Sequence, residues 1–405
     1  VMFVAVCLAL TMGVATAKPT VPTIYVVNQN NNTVSQANLD GSGGVSLGNL
    51  NGTLNAPADI AIDAAAGKMY VTDFSNNTVI QANLDGTGAV ILSNLSGMLN
   101  GPTGVALDTA AGKMYITTVL TSNGDSVIQA NLDGTGAVGL GNLNNTLFSP
   151  HRIALDTSAG KMYITSGGQF VPGHVSQANL DGTGGVDLGT LNDTLLEAGG
   201  IALDTVAGKM YIANFSGTVS QANLDGTGGV SLGSLNGTLT GPVGIALDPV
   251  AGKMYVTDAI NNTVTQANLD GTGGVSLGTL NGTLNGPTGI AIYQPVIPPK
   301  ILVEIGAYVQ ILFGITNDGG GIEILPGGGI IHIPPSGPPD PIFLTLRENM
   351  PQVLRAVKLY EGTAAPPIAT TSDTIQQERR QAILLAIDAL WKMWLSLGKA
   401  LLTVR

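Results

Sequence analysis

The chain has 405 residues, 27 acidic against 16 basic side chains for a net charge of −11, and 56 glycines. That length buries full cores without disulfide or metal staples, and the glycine content implies many tight turns between short strands. An acidic balance with no cluster of Lys and Arg excludes a nucleic-acid surface, because phosphates demand clustered cations.

Residues 1–17 open with an apolar run, Val1 to Leu10, and end in Ala15-Thr16-Ala17 before Lys18-Pro19. An apolar core followed by a small-x-small site is the pattern of a secretory signal peptide, which predicts a secreted, periplasmic or cell-surface protein. The run is short for a membrane span. Cys7, the one cysteine, lies within it. A mature chain would then have no disulfide, no Cys metal ligand and no Cys nucleophile.

From residue 18 to 294 the chain is a repeat. Asn-Leu-Asp-Gly begins at Asn38, Asn83, Asn131, Asn179, Asn223 and Asn268, at intervals of 45, 48, 48, 44 and 45 residues. Each unit carries four short apolar or alternating runs separated by Gly, Asp and Asn turn signals. Four strands per unit of about 40–50 residues is the mark of a propeller blade. We label these strands A to D, with A innermost. The first unit starts at its strand B, Thr23-Ile-Tyr-Val-Val27, and an orphan strand A, Gly286 to Ile292, follows the last unit. Pairing the two closes a ring and removes the exposed edges. The prediction is an all-β, six-bladed propeller with a split blade, followed by a C-terminal β/α segment.

Gly-Lys-Met-Tyr-Val-Thr-Asp, at 67–73 and 252–258, together with Gln-Ala-Asn-Leu-Asp-Gly-Thr-Gly, resembles the YWTD repeat of low-density lipoprotein receptor class B propellers. It is also similar to the YVTN-type propellers of bacterial surface and secreted proteins. The likeness spans about residues 20 to 294, with Val or Ile at the motif's Trp and the final Asp kept only as Asp73 and Asp258. It implies a propeller that binds proteins or ligands, and it fixes fold better than activity.

Within the repeat, the Ala at the middle of strand A (Ala61, Ala106, Ala154, Ala202, Ala246, Ala291) fits strands converging on an axis. Strand A ends in Asp63, Asp108, Asp156, Asp204 and Asp248, with Tyr293 in the sixth place. These are either an acidic ring for a cation or acceptors for turn amides in Asp-x-x-x-Gly-Lys. Their recurrence in step with the turn favours the second. Asp-Gly in Asn-Leu-Asp-Gly predicts a C–D hairpin in which both residues take positive φ. Asn-x-Thr triplets such as Asn51-Gly-Thr53 and Asn236-Gly-Thr238 read first as turn chemistry and second as glycan acceptors.

Function is expected where the repeat breaks. The interval from Tyr to the Asn of Asn-Leu-Asp-Gly within a unit is 13, 13, 16, 16, 12 and 13, so length varies only in the B–C loops, and the two long ones are adjacent. The second carries Gln169, Phe170 and His174. The D–A loops depart from Gly-Pro-x-Gly nearby, at Ser149-Pro-His151-Arg152 and Glu197-Ala-Gly-Gly200. Both loop types emerge on one face around the channel mouth, and loops on a rigid scaffold are where binding sites are built. The candidate ligand-binding residues are therefore His151, Arg152, Gln169, Phe170, His174 and Glu197. Neutral drift of surface loops is the competing explanation.

After the ring, 295–341 is a Pro/Gly-rich linker with short strands, and 342–405 is helical. The last helix, from Ser372, confines its polar residues to one stripe and leaves Trp391 and Trp394 on a wide apolar face. Asp388 and Lys392 near its centre argue against spanning a membrane, though contact with a membrane surface stays open.

No nucleophile elbow, metalloprotease helix or cofactor motif is present, and no cofactor is expected. Three functions remain: a secreted binding or scaffolding propeller for a protein, peptide or polar ligand; a lactonase- or lyase-like propeller hydrolase with a channel-mouth metal held by His151, His174 and Glu197; and a purely structural surface protein.

Overall fold

Each repeat folds into a four-stranded antiparallel sheet, and there are six of them in the computed structural model. It describes residues 18–19, 21–92, 95, 97–119, 126–168, 171–295, 321–324 and 330–333. Residues 1–17, expected to be a signal peptide, Gln169, Phe170 and the helices expected in 342–405 lie outside the described residues.

Blade 1 takes strand A from Pro287–Tyr293 and its strands B, C and D from Thr23–Asn28, Thr33–Asn38 and Val45–Gly48. Thr23 pairs with Tyr293, Ile24 with Ile292 and Tyr25 with Ala291. Blades 2 to 6 follow in chain order, with strands A at Pro57–Asp63, Pro102–Asp108, Pro150–Asp156, Ala198–Asp204 and Pro242–Asp248. Each strand A packs beside the strand A of both neighbouring blades, so the six enclose an axis. The protein is an all-β six-bladed propeller closed by its split blade.

There is no single core. Strand B alternates, with Met114 and Ile116 on one face and Tyr115 on the other, so each blade buries one face against either neighbour. One apolar cluster fills each gap between blades; Tyr70 and Val79 of blade 2, for example, pack on Met114 and Ile116 of blade 3. The strand-A alanines belong here as well: Ala61 packs into that same cluster. Val71 and Ile116, at the motif's Trp position, are fully buried.

The motif residues tie neighbouring blades together. Gln177 Nε2 donates to Tyr163 Oη within blade 4 (2.9 Å) and to the Leu224 carbonyl of blade 5 (3.4 Å). The same pair of bonds recurs around the ring until Gln266 donates to the Leu39 carbonyl of blade 1 (3.4 Å). Blade 1 makes its link directly, from Tyr25 Oη to the Leu84 carbonyl (3.1 Å). Replacing Gln177 with Ala orphans both acceptors, and we expect a loss of about 1–2 kcal/mol in urea unfolding.

The turns agree with their sequence reading at one end of the blade and correct it at the other. Asp63, Asp108, Asp156, Asp204 and Asp248 each accept the amide three residues on, as Asp63 does from Ala66 (2.8 Å). In the C–D hairpin only the glycine takes positive φ (Gly86, 81°), whereas Asp85 does not. Gly86 N–H donates to the Asn83 carbonyl and Asn83 N–H to the Thr87 carbonyl, both at 2.9 Å. The loop is thus three residues closed by a left-handed glycine, with Asp85 accepting from the Thr87 amide and hydroxyl, rather than a two-residue turn.

The chain divides into two units, residues 1–294 and 295–405. In the second, Gly321–Ile324 pairs antiparallel with Ile330–Ile333.

Candidate functional site at the channel mouth

Strand A leaves its ladder at the same place in five blades, and in blade 3 only Thr103 is skipped, Gly104 pairing with Thr117. In blade 4, Pro150 pairs with Ser166 and Ile153 with Ile164, so His151 and Arg152 drop out of the backbone ladder with strand B. Blades 2, 5 and 6 shift register in the same way. The bulge is braced by the Thr of the strand-B motif: Thr165 Oγ1 accepts from Arg152 N (3.2 Å) and donates to the Gly199 carbonyl of blade 5 (2.6 Å). Bulges re-aim side chains, and here they give the second and third positions of strand A to the channel mouth.

At the third position four blades carry Gly104, Gly200, Gly244 and Gly289, and the other two carry Asp59 and Arg152. A Cβ on Gly104 would lie 2.9 Å from Arg152 Cα, so adjacent strands leave no room there. The Arg152 side chain crosses blade 3 toward blade 2. Its Nη1 donates to the Thr103 carbonyl (2.7 Å), its Nη2 to the Ala58 carbonyl (2.9 Å), and its Nε lies 3.5 Å from Asp59 Oδ1. Asp59 Oδ2 accepts from Val105 N (3.1 Å). Burial pushes the Asp59 carboxyl above its ordinary pKa, against the opposing pull of Arg152 and the amides. This pair joins three blades and floors the mouth.

Above the floor is a depression of about 430 Å³ lined by His151, Arg152, Glu197, Gln29, Phe74 and Phe215, among others. His151 Nδ1 donates to the Ala198 carbonyl (2.7 Å). Burial lowers the imidazole pKa, helped by Arg152 and opposed by that carbonyl, which favours the neutral ring, and with Nδ1 donating to Ala198 that ring presents Nε2 as an acceptor. Glu197 sits at φ 56°, where Gly101 (63°) and Gly286 (60°) occupy the same place in two other blades.

Of the residues expected from sequence, the structure brings His151, Arg152 and Glu197 together. His174 is elsewhere. Its strand C (Val171–Asn179) and the facing strand B (Lys161–Gly168) lengthen to absorb the insertion, and His174 Nδ1 meets Asp187 Oδ2 on the outer strand at 3.2 Å. A metal site of His151, His174 and Glu197 therefore does not form, and among the described residues no three His, Cys, Asp or Glu are spaced to hold an ion.

Sequence reasoning missed Gln29, Phe74 and Phe215. Each directly follows strand B, where its amide bonds the carbonyl of the residue before strand A: Phe215 to Glu197 (3.1 Å), Phe74 to Ala56 (3.1 Å) and Gln29 to Gly286 (2.9 Å). That bond draws all three to the mouth. The position varies in identity and not in length, so a search for insertions passes over it.

No protein-family model matches the chain, and no curated protein sequence matches it. Among solved structures it is similar to a chain of a nidogen/laminin complex, with 17% identity, a TM-score of 0.56, and coverage of 68% of this chain and 99% of that one. It is also similar to a protein of unknown function from Desulfotomaculum acetoxidans (17% identity, TM-score 0.43, 68% and 99% covered). A luciferin-regenerating enzyme matches at 12% identity and TM-score 0.44, over 60% of this chain and 81% of that one. At 17% identity the likeness to the nidogen/laminin chain shows the propeller fold alone.

Proposed function

We propose that this chain is a secreted binding propeller that holds a peptide or a protein segment at the channel mouth. The observation that carries this reading is the depression itself, where Phe74 and Phe215 arrive from opposite blades above a floor locked by Arg152 and Asp59. Aromatic faces supply anchoring area, and His151, Glu197 and Gln29 supply acceptors and donors around them, as recognition of a peptide needs. A chain of similar fold occurs in a nidogen/laminin complex, which is consistent with an interaction role. The metal-hydrolase alternative loses its ligand set once His174 is tied to Asp187.

The test uses residues that the repeat already supplies. Phe74 and Phe215 are changed together to Gln, the residue of blade 1 at Gln29, and peptides selected from a displayed random library on the full chain are titrated against both proteins. We expect binding at least about tenfold weaker, the usual result of truncating a central aromatic anchor. Unchanged binding by a folded variant, or a library that yields no binder, removes this reading and leaves the purely structural one.

A further inference from the structure

Below the mouth, on the propeller axis, lies a second cavity of about 90 Å³ whose walls are the bulged segments of strand A. Val105 N donates into this space, to Asp59 Oδ2 (3.1 Å), so the amide at the fourth position of strand A faces the axis. Asp59 also accepts from the Ile60 amide, the same position in blade 2. Blades 4, 5, 6 and 1 hold that residue in the same register, Ile153 opposite Ile164, Ile201 opposite Ile212, Ile245 opposite Val256 and Ile290 opposite Val26. All four line the cavity. Their side chains enter the packing between blades, as Ile201 and Ile245 do, which leaves backbone donors toward the centre. Arg152 lines the same space, and its Nε is buried, facing Asp59 Oδ1 at 3.5 Å without a hydrogen bond.

Asp59 shows what such a ring accepts. Its carboxylate occupies the arc of blades 2 and 3, where two axial amides converge on one anion. By the register of the repeat the remaining arc presents the same donors, with the arginine that pairs with Asp59 at its edge. Converging backbone amides form anion-binding concavities. A volume of about 90 Å³ compares with the ~30 Å³ that one water occupies in the liquid, which is room for a small ion and attendant water.

The geometry points to a buried site for a small inorganic anion of chloride size on the propeller axis, held by the amides of Ile153, Ile201, Ile245 and Ile290. The bound anion joins blades 4, 5, 6 and 1 as Asp59 joins blades 2 and 3.

The experiment compares thermal unfolding of the full chain in chloride and in gluconate at fixed ionic strength. Chloride should raise the midpoint, each tenfold increase above the dissociation constant multiplying the folding constant about tenfold. Crystals containing bromide should show anomalous density on the axis within hydrogen-bond distance of Ile201 N and Ile245 N. The variant Asp59→Gly, which takes the residue of four other blades, frees two more amides and the arginine. It should bind chloride about tenfold more tightly, and adding Arg152→Gly should reverse that gain. Identical midpoints in the two salts overturn the proposal, as does bromide density without a solution effect. If Asp59→Gly alone fails to fold, the salt comparison and the bromide density on the parent chain still decide.

Discussion

A chain ended at Leu284 will aggregate, whereas one ended near Pro299 will give a monomeric, cooperatively unfolding propeller. The shorter chain loses Pro287–Tyr293, the only described strand that pairs with the inner edge of Thr23–Asn28. All six residues of Thr23–Asn28 are buried in the closed ring. Without their partner they offer a bare, apolar strand edge at the centre of the molecule, the kind of edge that recruits other chains. The loss also removes Ile290 from the gap between blades 6 and 1 and Tyr293 from the gap between blades 1 and 2. Each such side chain is worth about 1.5–3 kcal/mol of burial, against a total stability of about 5–15 kcal/mol for a typical domain. Size-exclusion chromatography and urea unfolding of the two chains decide the matter. A soluble, cooperatively unfolding product from the shorter one would show that the ring closes in some other way.

Replacing Arg152 with Met should cost about 3–5 kcal/mol, because it leaves Asp59 as a buried carboxylate without its countercharge. The double variant Asp59→Gly/Arg152→Met should recover most of that loss, since glycine is the residue of four other blades and the buried charge is gone. The pH dependence of the single variant has a definite sign. Burial already raises the Asp59 pKa above its ordinary 3.8, and loss of the arginine removes an influence that lowers it. Between the unfolded and folded pKa values the folded state binds more protons, so stability rises as pH falls through that window. The deficit of Arg152→Met should therefore be largest at neutral pH and shrink on acidification toward the ordinary carboxylate range. Urea unfolding at a series of pH values checks this. A deficit that is constant with pH would mean that Asp59 is hydrated in the variant rather than buried.

The number of blades, the split closure and the role of the strand-A aspartates were legible in the residues alone. Those features rest on local physics: alternation at period two, turn residues at fixed offsets, and a repeat that begins and ends on complementary strands. The site was legible only in part. His151, Arg152 and Glu197 stood out because they break the repeat, and they do meet at the mouth. His174 broke it as well, yet its insertion lengthens a hairpin and turns the side chain to Asp187 on the outer strand. Phe74 and Phe215 broke nothing in length. They reach the mouth because a backbone bond folds the residue after strand B onto the residue before strand A. Sequence reading singled out Arg152 for the site but not Asp59, with which it pairs. That pairing depends on the bulge that turns both side chains inward and on Gly104, whose missing Cβ lets the backbone at His151 and Arg152 approach blade 3 closely. Strand order and turn chemistry are written in neighbouring residues. Which residues share the mouth is decided by closing the ring, because closure alone brings blade 2 to blade 4 and sets blade 5 opposite blade 2.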